Sequence, residues 1–204
     1  MTRRNLGPVA VVLVAATAWI VGILAYQSPS SAPPLIGVRH GHHRAATTEH
    51  DGIVTEEDGV LPDGVTVFDD GYPGVANLDP DLLRAMREAA MQAAADGIEI
   101  FVNSGWRSAD YQHQLLREAV SEYGSKAEAA RWVATAGTSP HVSGNAVDIG
   151  DPDATAWLSD HGAGEGLCQI YGNEPWHFEL RSWAKDRGCP PMYPDPTFDP
   201  RMQR

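Results

Sequence analysis

Cysteine is nearly absent. Cys168 and Cys189 are the only two in 204 residues, which excludes a small domain stapled by a dense disulfide framework. Positive charge is also scarce, with 15 Lys and Arg against 27 Asp and Glu and a net charge of −12. That balance argues against a nucleic-acid partner, which needs Lys and Arg clustered on one face. The chain contains no internal repeat, and its length leaves little room for two full domains. It does contain apolar residues, at 43% hydrophobic, enough for a packed core and too many for a wholly disordered chain.

Those residues are unevenly placed. Residues 8–26, PVAVVLVAATAWIVGILAY, carry no charge and follow Arg3 and Arg4. Nineteen residues at about 1.5 Å each give roughly 28 Å, close to the thickness of a bilayer core. The arginine pair on the amino side favours that end inside and the remainder outside. The preferred reading of residues 1–26 is a retained transmembrane anchor. A cleaved signal peptide, leaving a secreted protein, is the alternative, but its apolar run is normally shorter, and Ser30-Ser31-Ala32 is followed by Pro33. Residues 27–60 read as a flexible tether, rich in Ser and Pro and then in His. His40, His42, His43 and His50 have no cysteines or fixed fold around them and read as linker rather than as metal ligands.

A globular pattern occupies residues 61–204. Asp79-Pro80-Asp81 opens a helix, Leu82, Leu83, Met86, Ala89, Ala90 and Ala93 follow at helical spacing, and Gly97 closes it. Residues 98–102 alternate as a strand. Ser108 is expected to cap a helix to about Tyr123, and Ser125 with Glu128 forms a capping-box pattern for another. Ala146–Ile149 reads as a strand, and Asp151-Pro152 starts a short helix. Leu167–Tyr171 and Trp176–Leu180 are strand candidates, with a hairpin around Gly172-Asn173. This order predicts an α+β domain with a small, mostly antiparallel sheet packed with helices. Residues 190–204, rich in Pro, read as a surface wrap or a frayed tail.

Three polar clusters sit beside predicted strand ends: Ser104–Ser108, Ser139–Asp148 and Glu174–His177. A hydrolytic zinc site uses three ligands from His, Asp and Glu, with one position left for water. It also needs a base that is not a ligand. His141, Asp148 and His177 could supply the ligands and Glu174 the base. On the residues alone a bland reading stands beside this one, since Asp148 could serve a helix cap and Glu174 with His177 an ordinary turn.

The ordered set Ser139-x-His141-x-x-Gly144-x-Ala146-x-Asp148 and Glu174-x-Trp176-His177 resembles the signature of the zinc D-alanyl-D-alanine carboxypeptidases of the VanY/peptidase M15 family. Ser104-Gly-Trp-Arg107-Ser108 with Gln112 resembles that family's upstream Ser-Gly-Tyr-Arg-Ser element. The match runs from about Leu82 to Leu180. The resemblance implies Zn2+ held by His141, Asp148 and His177 at the sheet edge, with Glu174 as general base. It implies that Arg107 faces the scissile carbonyl, and that Gln112, Ser139 and Ser108 lie near the terminal residue of the substrate. Trp176 is expected to pack behind the metal loop.

The chain departs from the family in having a short stretch between Gly166 and Glu174, with Gln169 where an arginine is often found. Such loops line the substrate groove, so the departure bears on substrate choice and leaves the metal chemistry untouched. The expected activity is a peptidase acting on peptidoglycan stem peptides, first as a D-Ala-D-Ala-type carboxypeptidase. An endopeptidase or dipeptidase on the same fold is the nearest alternative, and a catalytically silent zinc-containing binding module is another. If the domain is exported, Cys168 and Cys189 are expected to form a disulfide enclosing Glu174 and His177.

Overall fold

The computed structural model describes residues 53–203. The expected anchor at 1–26 and residues 27–52 of the expected tether lie outside the described residues. Among the described residues no helix is long and apolar enough to cross a membrane. The folded part starts earlier than the boundary expected at 61. Glu56–Asp58 forms a 3-10 turn after Thr55, and the Asp58 carbonyl accepts a hydrogen bond from the Ser108 amide at 2.8 Å. Backbone pairing of that kind ties residues 55–60 to the domain.

A short helix α1 (Pro73–Ala76) precedes the long helix α2 (Pro80–Ala95). Asp79 Oδ1 accepts from the amides of Asp81 at 2.9 Å and Leu82 at 3.2 Å, and Pro80 occupies the first helical position, where its missing N–H costs nothing. Leu82, Ala85, Met86, Ala89 and Ala93 recur at three- and four-residue spacing and are buried as one stripe. Then come β1 (Val102–Ser104), α3 (Ala109–Tyr123), α4 (Lys126–Ala129), β2 (Ala146–Ile149), α5 (Pro152–His161), β3 (Leu167–Gln169), β4 (His177–Leu180) and α6 (Ala184–Arg187). Ser108, Ser125 and Asp151 cap α3, α4 and α5 through side-chain oxygens.

The strands form one antiparallel sheet in the order β1-β2-β4-β3. The first strand lies later than the pattern at 98–102 suggested. Ile100 and Val102 are buried with the expected alternation, but ladder pairing with β2 begins only at Val102, and Phe101 instead bridges to Thr66. Alternation within strands sorts the sheet into two faces. Val102, Val147, Ile149, Leu167 and Phe178 join the α2 stripe and Leu158 of α5 in a single core. Asp148, His177 and Glu179 are therefore on the other face.

The carboxyl-terminal segment is a wrap with fixed contacts. It forms 3-10 turns at Pro196–Phe198 and Pro200–Gln203, and Asp195 and Asp199 are buried. Asp195 accepts from Arg131 Nε at 3.0 Å. Asp199 accepts from the Tyr171 hydroxyl at 3.0 Å.

Candidate metal centre and active site

Two of the three expected ligands face each other across the central strand pair, because Asp148 of β2 is the cross-strand partner of His177 of β4. Directly opposed residues on one face hold their Cβ atoms about 4.5–5.5 Å apart. The cluster therefore stands on the two central strands, not at the sheet edge. The ladder on both sides of each strand makes that the most rigid place available. The third ligand, His141, arrives on the turn before β2. That turn needs its glycine: Gly144 has φ +74°, and a Cβ there would lie 2.5 Å from the Asn77 carbonyl oxygen. Gly105 is under the same pressure, since a Cβ would come within 2.0 Å of the Gly74 carbonyl. Its own carbonyl accepts from His141 Nδ1 at 2.8 Å.

His141 Nε2, His177 Nδ1 and Asp148 Oδ1 converge on one point. Their separations are 3.2 Å between the nitrogens, 3.1 Å from His177 to Asp148 and 3.3 Å from His141 to Asp148. Ligands at about 2.0–2.1 Å from a tetrahedral ion stand about 3.3 Å apart, so the donor set fits zinc. The far nitrogens are also held. His141 Nδ1 donates to Gly105, and His177 Nε2 faces the Glu179 carboxylate at 3.3 Å. Outer partners of this type fix tautomer and ring orientation so that the facing nitrogen offers a lone pair.

Electrostatics agree. Burial pulls the His141 imidazole below its ordinary pKa, and Arg107 adds to the effect. Burial also opposes protonation of His177, but hydrogen bonds to Asp148 and Glu179 outweigh it and push that residue up to about 9. Burial likewise opposes ionisation of Asp148, yet His141, His177 and Arg107 hold it well below the usual carboxylate range. Without a cation, a proton on His177 balances the buried carboxylates; a divalent ion replaces that proton.

Glu174 sits three residues before His177, its Oε2 3.8 Å from His177 Nδ1. Its other oxygen, Oε1, is buried and has no hydrogen-bond partner among the described residues. Burial pushes this carboxyl up to about 7, only partly offset by His177. A buried carboxylate with an unused oxygen and a pKa near neutrality, beside a metal triad, suits a general base. Arg107 extends from the loop after β1. Its Nη2 donates to Asp148 Oδ2 at 2.7 Å, Nε to Ser104 Oγ at 2.6 Å and Nη1 to Gln112 Oε1 at 3.3 Å.

These side chains line a cavity of about 370 Å³ that also takes in Gln112, Ser139 and Trp176. Ser108, by contrast, is outside its lining. Its hydroxyl caps α3 and donates to Asp58 at 2.8 Å, which corrects the substrate contact expected of it. Trp176 is 40% exposed on the cavity wall and does not pack behind the loop. Gln169 bonds to Ser159 and the Pro175 carbonyl and lies outside the cavity lining, so it replaces no substrate-binding cation. His161 stacks on Trp157, away from the metal cavity. Cys168 and Cys189 are joined in a disulfide whose loop contains Glu174 and His177.

One part of the site was not read from the sequence. Glu179, fully buried, carries His177 and is itself held by Arg181 at 2.9 Å and by both nitrogens of Arg201 at 2.6 and 3.0 Å. The His-x-Glu spacing, two residues apart on a strand, was the available signal for Glu179. Nothing local marks Arg201, which reaches the site from the carboxyl-terminal wrap.

Two histidines and an aspartate converging on one point, with a glutamate beside them, could hold a single metal ion of the kind used for hydrolysis. Residues 75–169 match the sequence model of the family described as VanY, D-alanyl-D-alanine carboxypeptidase. Over 111 residues the chain is 34% identical to a D-alanyl-D-alanine carboxypeptidase of Enterococcus faecalis, covering 42% of this chain and 41% of that protein. The chain thus spans less than half the length of that relative. A solved structure of the vancomycin resistance D,D-pentapeptidase VanY with Zn(II) is 30% identical, with a TM-score of 0.48 over 50% of this chain and 72% of that one. VanYB in complex with D-alanine-D-alanine is 29% identical, with a TM-score of 0.51 over 54% of this chain and 75% of that one. The chain is thus similar to the VanY carboxypeptidases over part of its length, and residues 75–169 carry the match to the family.

Proposed function

We propose that the protein is a zinc-dependent peptidase that hydrolyses peptidoglycan stem peptides as a D-Ala-D-Ala-type carboxypeptidase. The observation that carries the proposal is the convergence of His141, Asp148 and His177 beside the unpartnered Oε1 of Glu174. Support for the substrate comes from the family and from the ligand D-alanine-D-alanine of VanYB. Zinc held by this triad would supply a Lewis acid and a water acidified from a pKa of 15.7 to about 7. Glu174 accepts the proton of the attacking water at its free oxygen and returns it to the leaving amine. Arg107 keeps Asp148 ionised and, on the cavity wall, offers guanidinium donors to the developing oxyanion. Loss of such a donor costs about 100- to 1000-fold in rate.

A second reading has one observation behind it. Arg107 is the only Lys or Arg lining the cavity among the described residues, and it is already bonded to Asp148. A terminal carboxylate therefore has no dedicated cation, which suits an endopeptidase. Incubating the full chain with defined muropeptides, with and without a chelator, tests both readings. Loss of one terminal residue supports the carboxypeptidase, mid-stem cleavage supports the second reading, and no product with any zinc supply refutes both. In the same assay Glu174→Ala is expected to retain zinc and lose turnover, whereas His177→Ala loses zinc.

For location, we propose that residues 1–26 anchor the protein with its domain outside the cytoplasmic membrane, and that residues 27–52 tether it. The charge-free run at 8–26 after Arg3 and Arg4 supports this. Recovery of the protein in the soluble extracellular fraction, shortened at its amino end, would show a cleaved signal instead.

A further inference from the structure

Glu174 keeps its place without help from its own side chain. Oε1 has no hydrogen-bond partner among the described residues, and Oε2 approaches only His177 Nδ1, at 3.8 Å, beyond hydrogen-bond range. A buried carboxylate that makes no hydrogen bond takes its direction from packing and from the backbone that carries it. The position of residues 173–176 therefore decides where this carboxylate points. Main-chain bonds secure both ends of the stretch: the Gly172 amide donates to the Tyr193 carbonyl at 2.8 Å, and the Ile149 amide donates to the Trp176 carbonyl at 3.0 Å. Between them the main chain makes only turn bonds, from the Glu174 amide to the Tyr171 carbonyl at 3.3 Å and from the His177 amide to the Glu174 carbonyl at 3.0 Å. Pro175 has no N–H to contribute.

Two side-chain amides supply what the main chain lacks, one on each side of Glu174. Asn173 Nδ2 donates to the Arg131 carbonyl at 2.7 Å. Gln169 Nε2 donates to the Pro175 carbonyl at 2.6 Å, while its Oε1 accepts from the Ser159 hydroxyl at 3.1 Å. Both anchors stand on secured parts of the fold. Gln169 lies on β3, in register with Phe178 of β4, and Arg131 Nε donates to the buried Asp195 at 3.0 Å. Asn173 also leaves its Oδ1 buried and without a partner among the described residues. A buried acceptor left unpaired destabilises a fold, so Asn173 is better explained by the direction it gives the loop than by stability.

We propose that Gln169 and Asn173 are positioning residues for Glu174, two clamps that fix its backbone and so aim its free oxygen into the metal cavity. The inference rests on Glu174 as the base of the peptidase reading and adds which residues place it. It also gives Gln169 a role of its own: at the position where an arginine is often found, this chain has a side chain that holds the loop of the base and touches no substrate. A shift of about 1 Å at a reacting group can cost about 100-fold in rate. Loss of one clamp with the other kept should cost less, about tenfold.

The test replaces each amide by a side chain of similar size that cannot donate, Gln169→Met and Asn173→Leu, in the zinc-loaded full chain. With defined muropeptides, kcat is expected to fall about tenfold for each variant and further when both are replaced. KM and zinc affinity are expected to stay within about twofold of the parent, since neither clamp touches the substrate cavity or a metal ligand. Hydrogen exchange in the metal-free protein is a readout apart from activity: the Glu174 and His177 amides are expected to exchange about tenfold faster in either variant. Thermal unfolding of each variant checks that the fold is kept. A merely structural role would lower kcat only in step with Tm and zinc affinity. Unchanged kcat, unchanged exchange at Glu174 and His177, or a fall in kcat matched by a loss of zinc affinity overturns the clamps. Turnover by the parent scores the peptidase reading separately. A parent that cleaves, with variants equally active, keeps the peptidase and removes the clamps; a parent that cleaves nothing with any zinc supply removes both.

Discussion

Arg201→Ala tests how the carboxyl-terminal wrap supports the metal centre. Arg201 grips both oxygens of Glu179, and Glu179 in turn faces His177 Nε2 at 3.3 Å. Removing one partner of a fully buried ion pair costs about 3–5 kcal/mol. Two facts reduce that here: the Arg201 side chain is 38% exposed, so solvent already screens it, and Arg181 remains on Glu179 at 2.9 Å. The expected loss is therefore about 1–2 kcal/mol, or roughly 2–8 °C in Tm for a domain of this size. The effect should also reach the metal, because loosening a carboxylate behind a ligating histidine weakens binding by about 10- to 100-fold. With one of two arginines remaining, about tenfold is expected for Arg201→Ala and more for Glu179→Ala. Zinc affinity is read by competition with a chromogenic chelator and stability by thermal unfolding of the metal-free protein. Zinc affinity within twofold of the parent, with Tm lowered as expected, would refute the link from wrap to metal and leave Arg201 a purely structural brace.

Other outcomes follow from the same geometry. With His177 pushed up to about 9 in the metal-free site, zinc binding at pH 7 should release about one proton, measurable by calorimetry in buffers of different ionisation enthalpy; no release would contradict the ligand assignment. Glu174 has a folded-state pKa of about 7 against an ordinary 4.5. The unfolded carboxyl therefore ionises first, and the stability of the metal-free protein falls as pH rises from about 4.5 through about 7. Glu174→Gln removes that penalty, gaining at most about 3 kcal/mol at pH 8 and little at pH 4; a gain that does not vary with pH would refute the burial argument. Replacing Cys168 and Cys189 by serine should cost about 3 kcal/mol in the chain-entropy account, with no further loss on adding a reductant, as judged by denaturant unfolding.

What the sequence determined by itself was local. Asp79-Pro80 and the spacing of Leu82, Met86 and Ala89 specify α2 through capping and a 3.6-residue period, which act within a few turns of chain. The candidate site was legible for a related reason: His141, Gly144 and Asp148 lie within one turn-and-strand unit, and Glu174 and His177 within another. The polypeptide geometry that makes each unit work constrains residue types at fixed spacing. Alternation placed Val147 and Phe178 in the core, and so placed Asp148 and His177 on the opposite face.

The tertiary structure decided what depends on which segments meet. The β1-β2-β4-β3 order put Asp148 against His177 on central strands, a pairing set by long-range hydrogen bonding that neither strand encodes alone. It assigned Ser108 to a cap, because Asp58 came to lie beside it. It turned Trp176 outward onto the cavity and brought Arg201 from the last residues of the chain to Glu179. A salt bridge across 22 residues leaves no periodic trace in the sequence, since charge complementarity exists only once the partners are in contact.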